Sequence, residues 1–239
     1  MIRVEFCIDS VEGLREADRL GADTIELCAA LGTGGLTPSN AVLDRARGCE
    51  TPVHVLIRPR PGGFVYSATE IDLMADDIAA VRRAGLAGVV IGAATGAGTL
   101  DPGALREMIA AAGPLATTLH RVVDTLADPL AGVEVAVALG MDRVLASGGA
   151  ARAPDGAGCL AEMVALAGQR IEIVAGAGLG PENVADLVVR TGVRSVHASC
   201  SAPRPDVGGR GLFSDGPLRG FDPARGRAFL DTARGVGAG

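Results

Sequence analysis

Two cysteines, Cys7 and Cys28, end short strand-like runs near the start of this chain. Thiolates are soft ligands, and a pair of them suits Cu(I). The competing reading makes each a small buried apolar residue, as free cysteine often is. A second set, Glu26, Arg58, His120, Arg121, Asp124 and His197, holds the residue types that proton transfer needs. A carboxylate beside an imidazole in a partly dry site divides general acid and general base roles. Arg58 and Arg60 offer planar forks for a carboxylate or a phosphate. The competing reading of Glu26, Arg58 and His120 is a self-paired polar network, and Arg121 and Asp124 read equally well as solvated loop residues. The histidines form no zinc signature of the HExxH kind.

Strand parity is what brings these groups together. Strand-like runs fall near 3–8, 23–28, 53–58, 88–92, 115–120, 142–147, 171–176 and 194–199. Helix-like segments fall near 10–20, 39–48, 69–84, 102–112, 128–139, 157–168, 181–190 and 222–234. Ser10 and Asp101 precede helices as caps, and Thr69 begins one. Pro102, Pro129 and Pro181 sit at or near first-turn positions, where a missing N–H costs little. Strand-then-helix units in series predict a parallel sheet with crossover helices, and eight strands close a barrel. The 239 residues match the roughly 250 typical of one such barrel. An open doubly wound sheet is the rival, but no GxGxxG follows the first strand. The expectation is an α/β fold, a single (β/α)₈ TIM barrel spanning 1–239. Residues 201–220, rich in Pro, Gly and Arg, read as a long mobile loop, and the terminal 235–239 as frayed.

Side chains alternate between the two faces of a strand. One parity here is nearly all apolar, including Val4, Phe6, Ile8, Ile25, Leu27, Val53, Val55 and Ile57. It is expected to pack against the helices. The other parity carries Glu5, Cys7, Thr24, Glu26, Cys28, His54, Arg58, Thr118, His120, Glu172, His197 and Ser199, and points into the barrel. Glu5, Thr24, His54, Glu172 and Arg143 lie early or mid-strand and read as an internal ion-pair network. Cys7, Glu26, Cys28, Arg58, His120, Ser147, His197 and Ser199 lie at strand ends, the face that holds barrel active sites. The turn containing Gly176 and Gly178, with Ser199, occupies the usual barrel phosphate position.

Composition removes several classes. There is no lysine, so Schiff-base aldolases and pyridoxal-phosphate enzymes lack their amine, and a P-loop lacks its Gly-Lys pair. No nucleotide cofactor is expected. A net charge of −6 argues against nucleic acid and against an anionic membrane surface. No charged-then-apolar leader opens the sequence, and five widely spaced cysteines read as reduced thiols, so a cytoplasmic protein is expected. Barrels often associate, which makes a homo-oligomer the expected state.

Several segments also resemble the CutC copper-homeostasis family. They are Val4-Glu5-Phe6-Cys7-Ile8-Asp9-Ser10, Gly21-Ala22-Asp23-Thr24-Ile25-Glu26-Leu27-Cys28 and Gly34-Gly35-Leu36-Thr37-Pro38-Ser39. Ile57-Arg58-Pro59-Arg60 through Phe64-Val65-Tyr66-Ser67 follows, then Thr118-Leu119-His120-Arg121-Val122-Val123-Asp124 and Arg143-Val144-Leu145-Ala146-Ser147-Gly148. The order is kept from about residue 3 to 200. The resemblance implies a TIM barrel, a cytoplasmic location, a role in copper handling, and Cys7 and Cys28 as copper ligands. The residues themselves leave three functions open: a scaffold or partner-binding barrel, Cu(I) binding through cysteine thiolates, or an enzyme, a lyase or isomerase without Schiff-base chemistry. Such an enzyme would act on a small phosphorylated or carboxylated metabolite.

Overall fold

A computed structural model of the chain describes residues 1–204 and 218–236. Eight parallel strands close into a barrel in chain order. They are β1 (Arg3–Ile8), β2 (Thr24–Leu27), β3 (Val53–Leu56), β4 (Gly88–Ile91), β5 (Ala116–Leu119), β6 (Arg143–Ala146), β7 (Glu172–Ala175) and β8 (Ser195–Ala198). The helices are α1 (Val11–Leu20), α2 (Asn40–Ala46), α3 (Ala68–Ala84), α4 (Pro102–Ala112), α5 (Pro129–Ala138), α6 (Ala157–Ala167), α7 (Val184–Thr191) and α8 (Pro223–Gly235). This is the expected (β/α)₈ barrel.

Local chemistry sets the helix starts. Ser10 accepts from the Gly13 N–H, Asp101 from Gly103 and Ala104, and Asp222 from Ala224 and Arg225. The α3 start differs from the sequence expectation. Ser67, not Thr69, is the cap, because Ser67 and Glu70 form a reciprocal capping box. Pro181 precedes α7, whose first turn opens after Asn183; the Asn183 side chain instead bonds Gly180 N and Gly178 O in the preceding loop.

The expected loop at 201–220 begins and ends as an antiparallel pair, β9 (Ser201–Pro203) with β10 (Arg219–Phe221). The rest of that expected mobile loop, 205–217, and the last three of the expected frayed residues, 237–239, lie outside the described residues. The Phe6 ring meets Phe221 edge-on at 5.1 Å between centroids, which fixes β10 against the barrel wall. Gly235 is the last residue of α8.

The parity argument is visible in the packing. Val4, Phe6, Ile8, Ile25, Leu27, Val53, Val55 and Ile57 are buried in the layer between barrel and helices. Inside the barrel a separate small apolar cluster forms from Cys7, Cys28, Leu56 and Val90. Parallel register aligns the inward polar residues: Glu5 pairs with Thr24 on one side and His197 on the other, Cys7 with Glu26, and Glu26 with His54. Arg143 stands level with Glu172 and Thr118.

Candidate functional site

Two cavities lie along the barrel axis. The floor cavity, about 180 Å³, is lined by Arg3, Glu5, Thr24, His54, Arg143, Glu172 and others. The mouth cavity, about 370 Å³, is lined by Cys7, Glu26, Arg58, His120, Arg121, Gly178, His197 and Ser199, with Leu31, Leu56, Phe64, Leu145 and Leu179 among its apolar wall. Polar groups converging in an apolar-walled cleft are what small-ligand sites look like.

Glu5 joins the two levels. Its carboxylate contacts Arg143 Nη1 at 2.7 Å and His197 Nδ1 at 2.8 Å. Burial alone would push this carboxyl up, but Arg143 and His197 hold it well below the usual range. Burial would push His197 down, yet the bond to Glu5 and the nearby Glu26 raise it above its ordinary value. His197 therefore holds its proton more firmly than a free imidazole, faces the mouth and is anchored from below by Glu5. Glu26, by contrast, is raised by burial, which outweighs the help from His197.

His120 is the opposite of His197. Burial and the Arg58 charge push it down to about 3, so it stays neutral. Its Nδ1 accepts the Val122 N–H at 3.1 Å, which leaves the proton on Nε2, a buried donor with no partner among the described residues. Each histidine ring lies against a strand glycine. A Cβ on Gly88 would come within 2.7 Å of His54, one on Gly92 within 2.4 Å of His120, and one on Gly176 within 3.2 Å of His197. These glycines are the space in which the imidazoles stand.

Cys7 Sγ lies 3.6 Å from Glu26 Oε1 and 3.9 Å from Cys28 Sγ. The Cys28 contact, burial and the adjacent carboxylates push the Cys7 thiol well above its ordinary range. Ligand atoms of Cys7, Glu26 and His197 all lie within 4.8 Å of one another. Cys28 is buried behind Cys7 and does not line the cavity.

The remaining residues expected at the site separate by position. Arg121 reaches the cavity, but Asp124 lies behind it, pairing with Arg121 at 2.9 Å and accepting from the N–H groups of Ser147 and Gly149. Asp124 therefore shapes the loop after β6. The Ser147 hydroxyl is fully buried, donates to Ala150 O and is bonded by Arg121, so it does not reach the cavity. Arg60 turns outward to Glu70 and stacks on Tyr66, away from the mouth, because Glu70 of the α3 capping box attracts it. Gly176 packs against Leu145 and His197 and does not line the cavity, whereas Gly178 and Ser199 do.

Two features escaped the sequence reading. Phe64 packs on His120 at 4.7 Å and under Arg58 at 5.2 Å, forming one wall. Ala30, Ala177 and Cys200 hold positive φ without being glycine, and they follow β2, β7 and β8 respectively. Strain of this kind is kept where surrounding structure over-determines it, often at functional sites. No local motif announces such residues.

The CutC family model matches residues 2–202. This chain belongs to the CutC family. Its relatives include a CutC family protein of Caulobacter vibrioides, 48% identical over 85% of this chain and 83% of the relative. Another, from Photobacterium profundum, is 41% identical over 85% and 84%. A Streptococcus agalactiae structure that carries the name copper homeostasis protein CutC superposes with a TM-score of 0.79 at 30% identity, covering 83% of this chain and 99% of that one. A phosphoribosylanthranilate isomerase from Thermotoga maritima, at 15% identity and a TM-score of 0.60, shares the barrel fold alone. Among the described residues of this CutC family member, no helix is long and apolar enough to cross a membrane.

Proposed function

We propose that this CutC family protein takes part in copper homeostasis by binding Cu(I) at the barrel mouth through Cys7 and Cys28. The observation that carries this reading is the gathering of Cys7, Glu26 and His197 ligand atoms within 4.8 Å, with the Cys28 sulfur 3.9 Å from that of Cys7. Two soft thiolates favour Cu(I) over harder ions. His197 adds support, because its Nδ1 is held by the Glu5 carboxylate at 2.8 Å. Metal-binding imidazoles are commonly oriented in that way, which leaves Nε2 for the metal. The name of the Streptococcus agalactiae neighbour points in the same direction. Cytoplasmic action fits the free cysteines. The test is an anaerobic Cu(I) titration against a competing chelator, wild type beside Cys7→Ser and Cys7→Ser/Cys28→Ser. Stoichiometric binding that weakens in the single variant and vanishes in the double supports the reading. Equal binding by all three proteins rejects it.

A second reading is favoured by a different observation. Glu26 is raised and His120 depressed within the same cavity. Environments that push titratable groups apart divide acid and base roles. On this reading the protein is a lyase or isomerase without Schiff-base chemistry, acting on a small phosphorylated or carboxylated metabolite. Glu26 and His120 would divide the proton transfers with the substrate, and Arg58 would meet its anionic end. A screen of phosphorylated sugars and carboxylic acids should find turnover that His120→Ala abolishes; turnover unaffected by that change would remove His120 from the chemistry.

A further inference from the structure

Arg58 is a buried cation whose partners do not neutralise it. The residue is 7% exposed and lines the mouth cavity. Its Nη1 donates to Thr33 O at 3.1 Å and Gly35 O at 2.9 Å, and its Nη2 to Gly62 O at 2.8 Å. All three acceptors are neutral carbonyls, and among the described residues no carboxylate pairs with it, although Arg60, Arg121 and Arg143 each have one. A guanidinium carries five N–H donors. Three are used, and among the described residues the Nε–H and one Nη2–H have no hydrogen-bond partner of good geometry, with the Tyr66 hydroxyl the nearest neutral candidate. Buried charges are normally paired.

His120, across Phe64 from Arg58, also keeps an unpartnered donor, at Nε2. The loops from Thr33 to Gly62 that Arg58 ties together hold its fork in place without spending its charge. One unopposed positive charge, two free guanidinium donors and a neutral imidazole N–H complement a monoanion with two oxygens in one plane.

We propose that the mouth cavity is a binding site for a small carboxylate, which takes its counter-charge from Arg58 and a further hydrogen bond from His120. This deepens the second reading above, from which it takes the small anionic ligand, but it requires binding only, not turnover. The choice of carboxylate over phosphate rests on the β8 side of the mouth. Barrel phosphates commonly sit at the loops after strands seven and eight with a helix N-terminus. Here the Asp222 carboxylate already satisfies the start of α8, Asn183 occupies Gly180 N, and the His197 ring fills the space at Gly176. Arg58 and His120 stand on the opposite side, after β3 and β5, and serve a planar monoanion.

The experiment is calorimetric titration of the whole protein, in chelator-treated buffer, with acetate, glycolate and pyruvate. Acetamide is the uncharged control and inorganic phosphate the rival anion. A carboxylate should bind and raise Tm, acetamide should not, and phosphate should bind more weakly. Arg58→Lys keeps the charge but loses the fork, and His120→Asn keeps an acceptor for Val122 N–H but loses the Nε2 donor. Each should weaken carboxylate binding by about tenfold or more, the scale of one charge-assisted hydrogen bond. Should Arg58→Lys disturb the loops, the Nε2–H resonance of His120 in the wild type supplies an independent readout, and it should shift on adding carboxylate. Equal binding of acetate and acetamide, tighter binding of phosphate, affinity unchanged in His120→Asn, or a resonance that does not move would each overturn the proposal. Carboxylate binding without any turnover would sustain it while the enzyme reading fails. Turnover of a phosphorylated substrate with no carboxylate bound would do the reverse.

Discussion

His197 Nδ1 lies 2.8 Å from Glu5 Oε1, while the other oxygen of the same carboxylate meets Arg143 at 2.7 Å. One buried carboxylate therefore couples the mouth imidazole to the charged layer of the floor. Replacing it takes the nearest counter-charge from both partners at once, leaving Arg143 with Glu172 at 3.7 Å. Glu5→Gln should cost about 3–5 kcal/mol, the range for breaking a buried pair, measured by urea unfolding. The same change should lower the His197 titration midpoint seen by NMR, since Glu5 is a main support of its raised value. A midpoint that stays put would show that Glu26 alone holds the imidazolium.

Gly92 and His120 form a second dependent pair. A Cβ at position 92 would lie 2.4 Å from His120 Cε1 and 2.7 Å from Val122 Cγ1. Gly92→Ala should destabilise by about 1–3 kcal/mol, as overpacking does. In Gly92→Ala/His120→Ala the ring is gone and part of that cost should return. A thermal-denaturation double-mutant cycle with no coupling would mean that the glycine serves the strand rather than the histidine.

Acid should unfold the protein through its neutral histidines. His120 and His54 are pushed by burial to about 3 and about 4 in the folded state, against about 6.5 when unfolded. The unfolded chain therefore takes up protons that the folded one refuses, and stability falls as pH drops from about 6.5 towards the folded values. Each group contributes a slope of up to about 1.4 kcal/mol per pH unit across that window. Glu5, depressed in the fold, adds to the loss below the ordinary glutamate range. His120→Asn should flatten the curve between pH 6 and 4 (urea midpoints at each pH); a wild-type slope in the variant would count against a neutral buried His120.

Copper binding should strengthen as pH rises. The Cys7 thiol is raised well above its ordinary value and His197 is raised too, so each binds a proton that Cu(I) must displace. Chelator competition between pH 6 and 8 should show affinity rising about tenfold per pH unit for each proton released. A pH-independent affinity would place the ion on ligands other than these.

Much of this was legible from parity alone. Alternation points Glu5, Glu26, His54, His120 and His197 inward; the register aligns Glu5, Glu26, His54 and His197 inside the barrel, and His120, just past β5, lines the mouth. Alternation fixes the face a side chain points to, but not what meets it there. Arg60 shares the post-β3 loop with Arg58, yet the capping box of α3 draws it outward, a choice made by Glu70 ten residues on. Ser147 lies at a strand end as expected, but it and Asp124, in the turn after β5, satisfy the β6 loop backbone instead of the cavity. Phe64 and the positive-φ Ala177 depend on long-range packing that no local pattern records. The β9–β10 pair escaped because its strands are three residues each and separated by a Pro- and Gly-rich stretch that reads as loop.

The central claim is that sulfur from Cys7 and Cys28 holds copper at the mouth. X-ray absorption at the copper edge, on protein loaded anaerobically with one equivalent of Cu(I), tests it most directly. The expected spectrum is that of Cu(I) with two sulfur neighbours in the wild type and one in Cys7→Ser. A first shell of nitrogen and oxygen only, or a spectrum identical in the two proteins, would contradict it.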